Sequence, residues 1–173
     1  MTRGLKPTRL PTPTDRGSPA AMSNPEIPPD AAQGTPRPAE VRASTMADLD
    51  DIYDFIQPFV DAGRLLPRTV DELEGLIPTG FVAIVDEEVV GFVALEVYSR
   101  KLAEIRSLCV SSEHRGQGIG KRLTLACVDL ARRLKVFEVM AITSTDEFFR
   151  SCGFDFTLPG EKKALFLLTR DEH

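Results

Sequence analysis

The chain has 173 residues, enough for one domain with a sizeable core. Net charge is −5, and after position 40 acidic residues outnumber basic ones by 22 to 16, which speaks against nucleic-acid binding and requires any anion to be held by a local site. Cys109, Cys127 and Cys152 are odd in number and unrelated in spacing, so neither a disulfide frame nor a metal site is indicated. With no secretory or bilayer-crossing apolar run, the expected setting is cytoplasmic, with no membrane partner.

Residues 1–39 read as a disordered leader: the first forty positions hold nine of the thirteen prolines and no Phe, Tyr or Trp. Arg3, Lys6, Arg9 and Arg16 loosely resemble a transit segment, although Pro7, Pro11, Pro13 and Pro19 oppose an amphipathic helix, and Met22 is an alternative start. The folded domain is expected over residues 40–173.

Val41 to Ala43 reads as a first strand. Thr45 with Asp48 opens a helix through Val60, and Thr69 with Glu72 repeats that capping signal before Leu73, Leu76 and Ile77. Phe81 to Val85 and Val89 to Val97 flank the polar turn Asp86-Glu87-Glu88 and predict an antiparallel hairpin. A strand at Glu104 to Val110 follows, then a glycine-rich loop, and a helix to about Leu134 marked by Ile119, Leu123, Ala126, Cys127, Leu130 and Ala131. Val136 to Thr143 reads as a strand, Asp146 to Ser151 as a short helix and Leu165 to Thr169 as a last strand. The order is mixed α/β, a meander feeding one βαβ crossover.

The loop Arg115-Gly116-Gln117-Gly118-Ile119-Gly120 carries the chemistry. Between a strand and a helix, its glycines let backbone N–H groups converge on an anion at the positive end of the helix dipole, so a phosphate is the expected ligand. A nucleotide P-loop is excluded because Gly120-Lys121 precedes Arg122 rather than Ser or Thr, and a dinucleotide fingerprint fails on the spacing 116, 118, 120. The bland alternative is a turn that merely closes a strand-to-helix connection.

Glu104 to Leu123 resembles the acetyl-CoA signature of the GNAT superfamily of N-acetyltransferases, with Arg115, Gly118 and Gly120 matching its Gln/Arg-x-x-Gly-x-Gly/Ala loop. Phe148-Phe149-Arg150-Ser151-Cys152-Gly153-Phe154 is similar to that superfamily's late helix ending in Gly-Phe. The resemblance implies a central, mixed but mostly antiparallel sheet of about six to seven strands with about four helices. It further implies an acyltransferase with acetyl-CoA as co-substrate and a small-molecule amine as acceptor; a homodimer stays open.

The resemblance assigns the CoA pyrophosphate to the amides of Gln117, Gly118, Ile119 and Gly120, beside Gly116. Arg115, Lys121 and Arg122 offer positive charge, and main-chain groups of Leu108, Cys109 and Val110 take the pantetheine arm. One of those N–H groups would polarise the thioester carbonyl. Glu104 is the candidate general base, against its reading as a carboxylate paired with Arg106 or Lys101. Cys109 reads as a small core residue more than as a nucleophile, and His114 as a turn residue. Phe149 stands where many members have a proton-donating Tyr, which leaves it a core or pantetheine-wall role.

Gly63 to Thr69, Ala103-Glu104 and the missing Tyr together resemble the acetyltransferase domain of N-acetylglutamate synthases. Arg68 and Lys101, with Arg106 beside Glu104, are then candidates for binding the acceptor's carboxylates. Thr143-Ser144-Thr145 lacks the Arg-Ser pair usual there, and no amino-acid-kinase domain is present in the chain. L-Glutamate is thus one expected acceptor. The alternatives are a protein or peptide amine, a polyamine, or a CoA-sensing module without turnover.

Overall fold

The computed structural model describes residues 37–157. They form one mixed sheet in the order β1-β2-β3-β4-β5. Its strands are β1 (Glu40–Ala43), β2 (Gly80–Val85), β3 (Glu88–Val97), β4 (Leu102–Val110) and β5 (Glu138–Ala141). The first four are antiparallel neighbours, and β5 lies parallel to β4. Four helices accompany the sheet: α1 (Leu49–Asp61), α2 (Val70–Leu76), α3 (Ile119–Arg133) and α4 (Asp146–Ser151).

Local chemistry accounts for the early elements. The Thr45 amide and hydroxyl both donate to Asp48 Oδ2, at 2.7 and 2.8 Å, while Arg42 grips the same carboxylate through both terminal nitrogens, at 2.8 and 2.6 Å. β1 is thereby tied to the start of α1. The Thr69 amide donates to Glu72 Oε2 at 2.9 Å and the Glu72 amide to Thr69 Oγ1 at 3.2 Å, which closes a reciprocal cap on α2. Asp86 and Glu87 both take positive φ, 48° and 71°, the two-residue turn whose twist suits a hairpin.

Alternation along the strands sends side chains to two cores. On one face α3 packs Ile119, Leu123, Cys127 and Ala131 against Phe81, Ala83, Val93, Leu95, Ala103 and Ile105. On the other, α1 and α2 pack Ile52, Ile56, Phe59, Leu73 and Leu76 against Val82, Phe92, Ala94 and Cys109. Fully burying a side chain such as Leu123 or Ile56 contributes about 1.5–3 kcal/mol.

Two sequence expectations change. The sheet has five strands among the described residues rather than six to seven; the strand expected at Leu165 to Thr169 lies outside them, as do residues 1–36 of the leader. The strand expected over Val136 to Thr143 contracts to Glu138–Ala141. Beyond it, Thr143 Oγ1 accepts from the Thr145 amide at 3.0 Å, a local side-chain bond that competes with ladder pairing and stops the strand.

Candidate active site

β4 is the spine of the site, and it changes character half-way along. Between the pairs Ala94↔Arg106 and Phe92↔Cys109, β3 contributes one residue and β4 contributes two, Ser107 and Leu108. Ser107 sits at φ +55°, the left-handed conformation of a β-bulge. The extra residue reverses the alternation. Before it, Ala103 and Ile105 face α3 while Glu104 and Arg106 face the α1/α2 side; after it, Leu108 and Val110 face α3 and Cys109 faces α1/α2.

The same region opens the sheet. β4 pairs with β5 only from Leu102↔Glu138 to Ile105↔Ala141, yet β4 runs on to Val110. Among the described residues, the β5-side edge of Leu108, Cys109 and Val110 therefore has no strand partner.

The glycine loop lies just past this splay. Gly116 and Gly118 have φ +77° and +73°, and a Cβ built on either would meet no atom within 4 Å, so open ground lies over both. Gly118 is the N-cap of α3 and supplies no side-chain cap, leaving the first-turn amides of Ile119, Gly120 and Lys121 without one. Gly120 is different: a Cβ there would sit in ordinary contact with the Phe148 ring at 3.4 Å, so α4 covers this side of the start of α3. Ile119 is buried in the core, and Arg115, Gln117 and Lys121 are exposed. Arg122 instead donates to the Ala39 carbonyl at 2.8 Å and anchors the entry to β1. An uncapped helix start, Cβ-free ground and an unpaired strand edge in sequence fit a pyrophosphate carrying an extended arm.

On the α1/α2 side, Glu104 is 5% exposed. Its Oε2 accepts from the Tyr98 hydroxyl at 2.5 Å and from Arg106 Nη1 at 3.1 Å. Arg106 also meets Glu96 at 3.3 Å and the Tyr98 oxygen at 3.2 Å. Desolvation, then the bond to Glu104, push the Tyr98 phenol up to about 12, so it stays a proton-bearing donor across working pH. Oε1 of Glu104 carries no hydrogen bond among the described residues and is not an enclosed atom.

Beside this cluster lies a pocket of about 380 Å³ lined by Arg68, Glu72, Leu76, Thr79, Glu96 and Val97 among others. Arg68 precedes the cap of α2, and its Nε is enclosed with no hydrogen-bond partner. Lys101 is exposed in the β3–β4 turn, where its carbonyl accepts from the Glu138 amide at 3.2 Å. Arg106 is occupied by two carboxylates rather than free in the pocket.

Burial pushes the Cys109 thiol up to about 12, and that of Cys127 likewise, which removes both as thiolate nucleophiles. Phe149 is half-buried between Phe148 and Phe154, with ring centroids 5.1 and 5.4 Å away.

Three participants escape a reading of the sequence. The bulge at Ser107 has no glycine to announce it. Glu96 and Tyr98 could have been found from register alone, since a turn centred near Arg100 sets Glu96 opposite Glu104.

Residues 46–154 match the acetyltransferase (GNAT) family. The chain belongs to this family. It is similar to an uncharacterized N-acetyltransferase of Chlorobaculum tepidum, 34% identical over 114 residues, which cover 66% of this chain and 74% of that protein. An amino-acid acetyltransferase of Aeromonas salmonicida is 28% identical over 133 residues, 73% of this chain but 30% of the relative. Among solved structures, N-acetylglutamate synthase from Neisseria gonorrhoeae, complexed with coenzyme A and N-acetyl-glutamate, is 29% identical with a TM-score of 0.60, covering 65% of this chain and 27% of that one. A Mycobacterium tuberculosis protein in complex with CoA is 28% identical with a TM-score of 0.61, covering 72% and 76%. The GNAT chain thus spans less than a third of the synthase and of the amino-acid acetyltransferase. It is an acetyl-CoA-dependent N-acetyltransferase. Among the described residues no helix is long and apolar enough to cross a membrane.

Proposed function

We propose that the acceptor is a small amino acid, with L-glutamate the leading candidate, and that Glu104 is the general base. The observation that carries this reading is Arg68: a guanidinium with no ion pair among the described residues, on the wall of a pocket that shares Glu96 with the Glu104 cluster. A planar guanidinium suits a ligand carboxylate, which it can hold through two hydrogen bonds.

In this reading the amides of Gln117 to Gly120 hold the pyrophosphate, Arg115 and Lys121 add charge, and the free edge of Leu108 to Val110 orients the pantetheine arm. Bound acetyl-CoA supplies an acyl group activated as a thioester. The main-chain donors past the bulge are fixed before reaction, which is what makes such donors effective toward developing negative charge. Glu104 is held by Tyr98 and Arg106 through Oε2, leaving Oε1 to take the proton an ammonium must shed before it can attack.

The test is thiol release from acetyl-CoA with glutamate, other amino acids, spermidine and a basic peptide. Turnover with glutamate supports the assignment, and turnover with a peptide or polyamine alone removes it. CoA binding without turnover of any amine selects a sensing role.

A further inference from the structure

Two opposed charges line the pocket: Arg68, which has no ion pair among the described residues, and Glu96, which shares its one cation with Glu104. Recognition of an amino acid here rests on the acceptor class proposed above and requires a partner for each of its two charged groups.

Glu96 and Glu104 are directly opposite on β3 and β4, where two carboxylates repel. One guanidinium, Arg106, contacts both, and the Tyr98 phenol between them is neutral. Two negative charges against one positive leave one negative charge uncompensated, among residues whose pocket-facing member is Glu96. Tyr98 has a single proton, committed at 2.5 Å to Glu104 and 3.3 Å from Glu96, so Glu96 is the less satisfied of the pair. Its side chain is 36% exposed where that of Glu104 is 6%. The other carboxylate on the pocket wall, Glu72, is engaged in the cap of α2. On the α2 side of the same space stands Arg68, which has no ion pair among the described residues.

We propose that Glu96 is an acceptor-binding residue, receiving the ammonium while Arg68 receives the carboxylate, so that the pocket selects free amino acids carrying both groups. A polyamine would leave Arg68 unpaired, and a carboxylate-blocked amino acid would do the same. The ammonium is brought to the residue directly opposite Glu104, whose Oε1 carries no hydrogen bond among the described residues.

Steady-state kinetics on the full chain test this with a free amino acid, the corresponding amino-acid amide and spermidine as acceptors. Glu96→Gln is expected to raise the acceptor KM by about 10-fold or more and leave the KM for acetyl-CoA unchanged. The wild type should prefer the free acid to its amide by at least about 10-fold, and Arg68→Gln should erase that preference. Glu96→Asp, which keeps the charge but withdraws it by one methylene, carries the same test should Glu96→Gln not fold. An acceptor KM within twofold of wild type in the Glu96 variants, or equal use of amide and free acid by the wild type, overturns the proposal. So does failure to acetylate any amino acid. Turnover of another amino acid but not glutamate removes only the glutamate assignment and leaves this recognition in place.

Discussion

The two halves of β4 serve the reaction by different means. Past Ser107 the strand and the loop after it act through main chain: among the described residues Leu108 to Val110 offer an edge unpaired on the β5 side, and the amides at the start of α3 follow open ground over Gly116 and Gly118. Before Ser107 the strand acts through side chains, with Glu104 and Arg106 locked to Glu96 and Tyr98 of the neighbouring strand. The first half can change its acceptor by exchanging side chains. The second can only be damaged by adding them.

This contrast can be broken at either end. The largest effect is expected at Glu104: Glu104→Gln should lower kcat by about 10²–10⁴-fold with both KM values little changed, the pattern of a lost proton acceptor. An unchanged kcat would move the base elsewhere. Next comes Gly118→Val, which forces a β-branched residue to φ +73° and fills open ground. Coenzyme A affinity should fall about 100-fold by calorimetry, while the α1/α2 side keeps its structure.

A third test separates stability from chemistry. Arg42, opposed by burial, holds the Asp48 carboxyl well below the ordinary carboxylate range. A depressed folded value means that the stabilisation is fully present above the unfolded pKa near 4 and is lost as pH falls through the folded one. Asp48→Asn should therefore cost about 1.5–3 kcal/mol in urea unfolding at neutral pH and flatten the acid limb of the stability profile below about pH 4. The smallest effect is expected at Arg115, which is exposed: Arg115→Ala should weaken CoA binding by only about 2–5-fold, and less at high salt.

Legibility in the sequence follows the same division. The glycine loop declared itself because positive φ at Gly116 and Gly118 demands that residue type, and the caps at Thr45 and Thr69 because their partners lie three positions away. Helices α1 to α4 and the hairpin were readable from period and turn chemistry. The acceptor side was only half legible. Glu104 and Arg68 could be singled out by family resemblance, but that Arg106 is spent on two carboxylates shows only once β3 and β4 are paired across the turn near Arg100, because residue type alone does not place Glu96 beside Glu104. The early end of β5 follows from Thr143 capturing the Thr145 amide, a competition between side chain and ladder that propensity does not resolve.

The surplus residue at Ser107 has a mechanical consequence. A bulge bends and twists its strand, and this one falls just past the last β4–β5 pair, where the main chain of Leu108 to Val110 has no strand neighbour on that side among the described residues. Deleting that one position should do what no substitution does: restore an unbroken two-residue repeat, with Leu108 opposite Val93 and Cys109 still in the α1/α2 core, so that the fold is kept and the presentation of the main chain to the acyl donor is the first casualty.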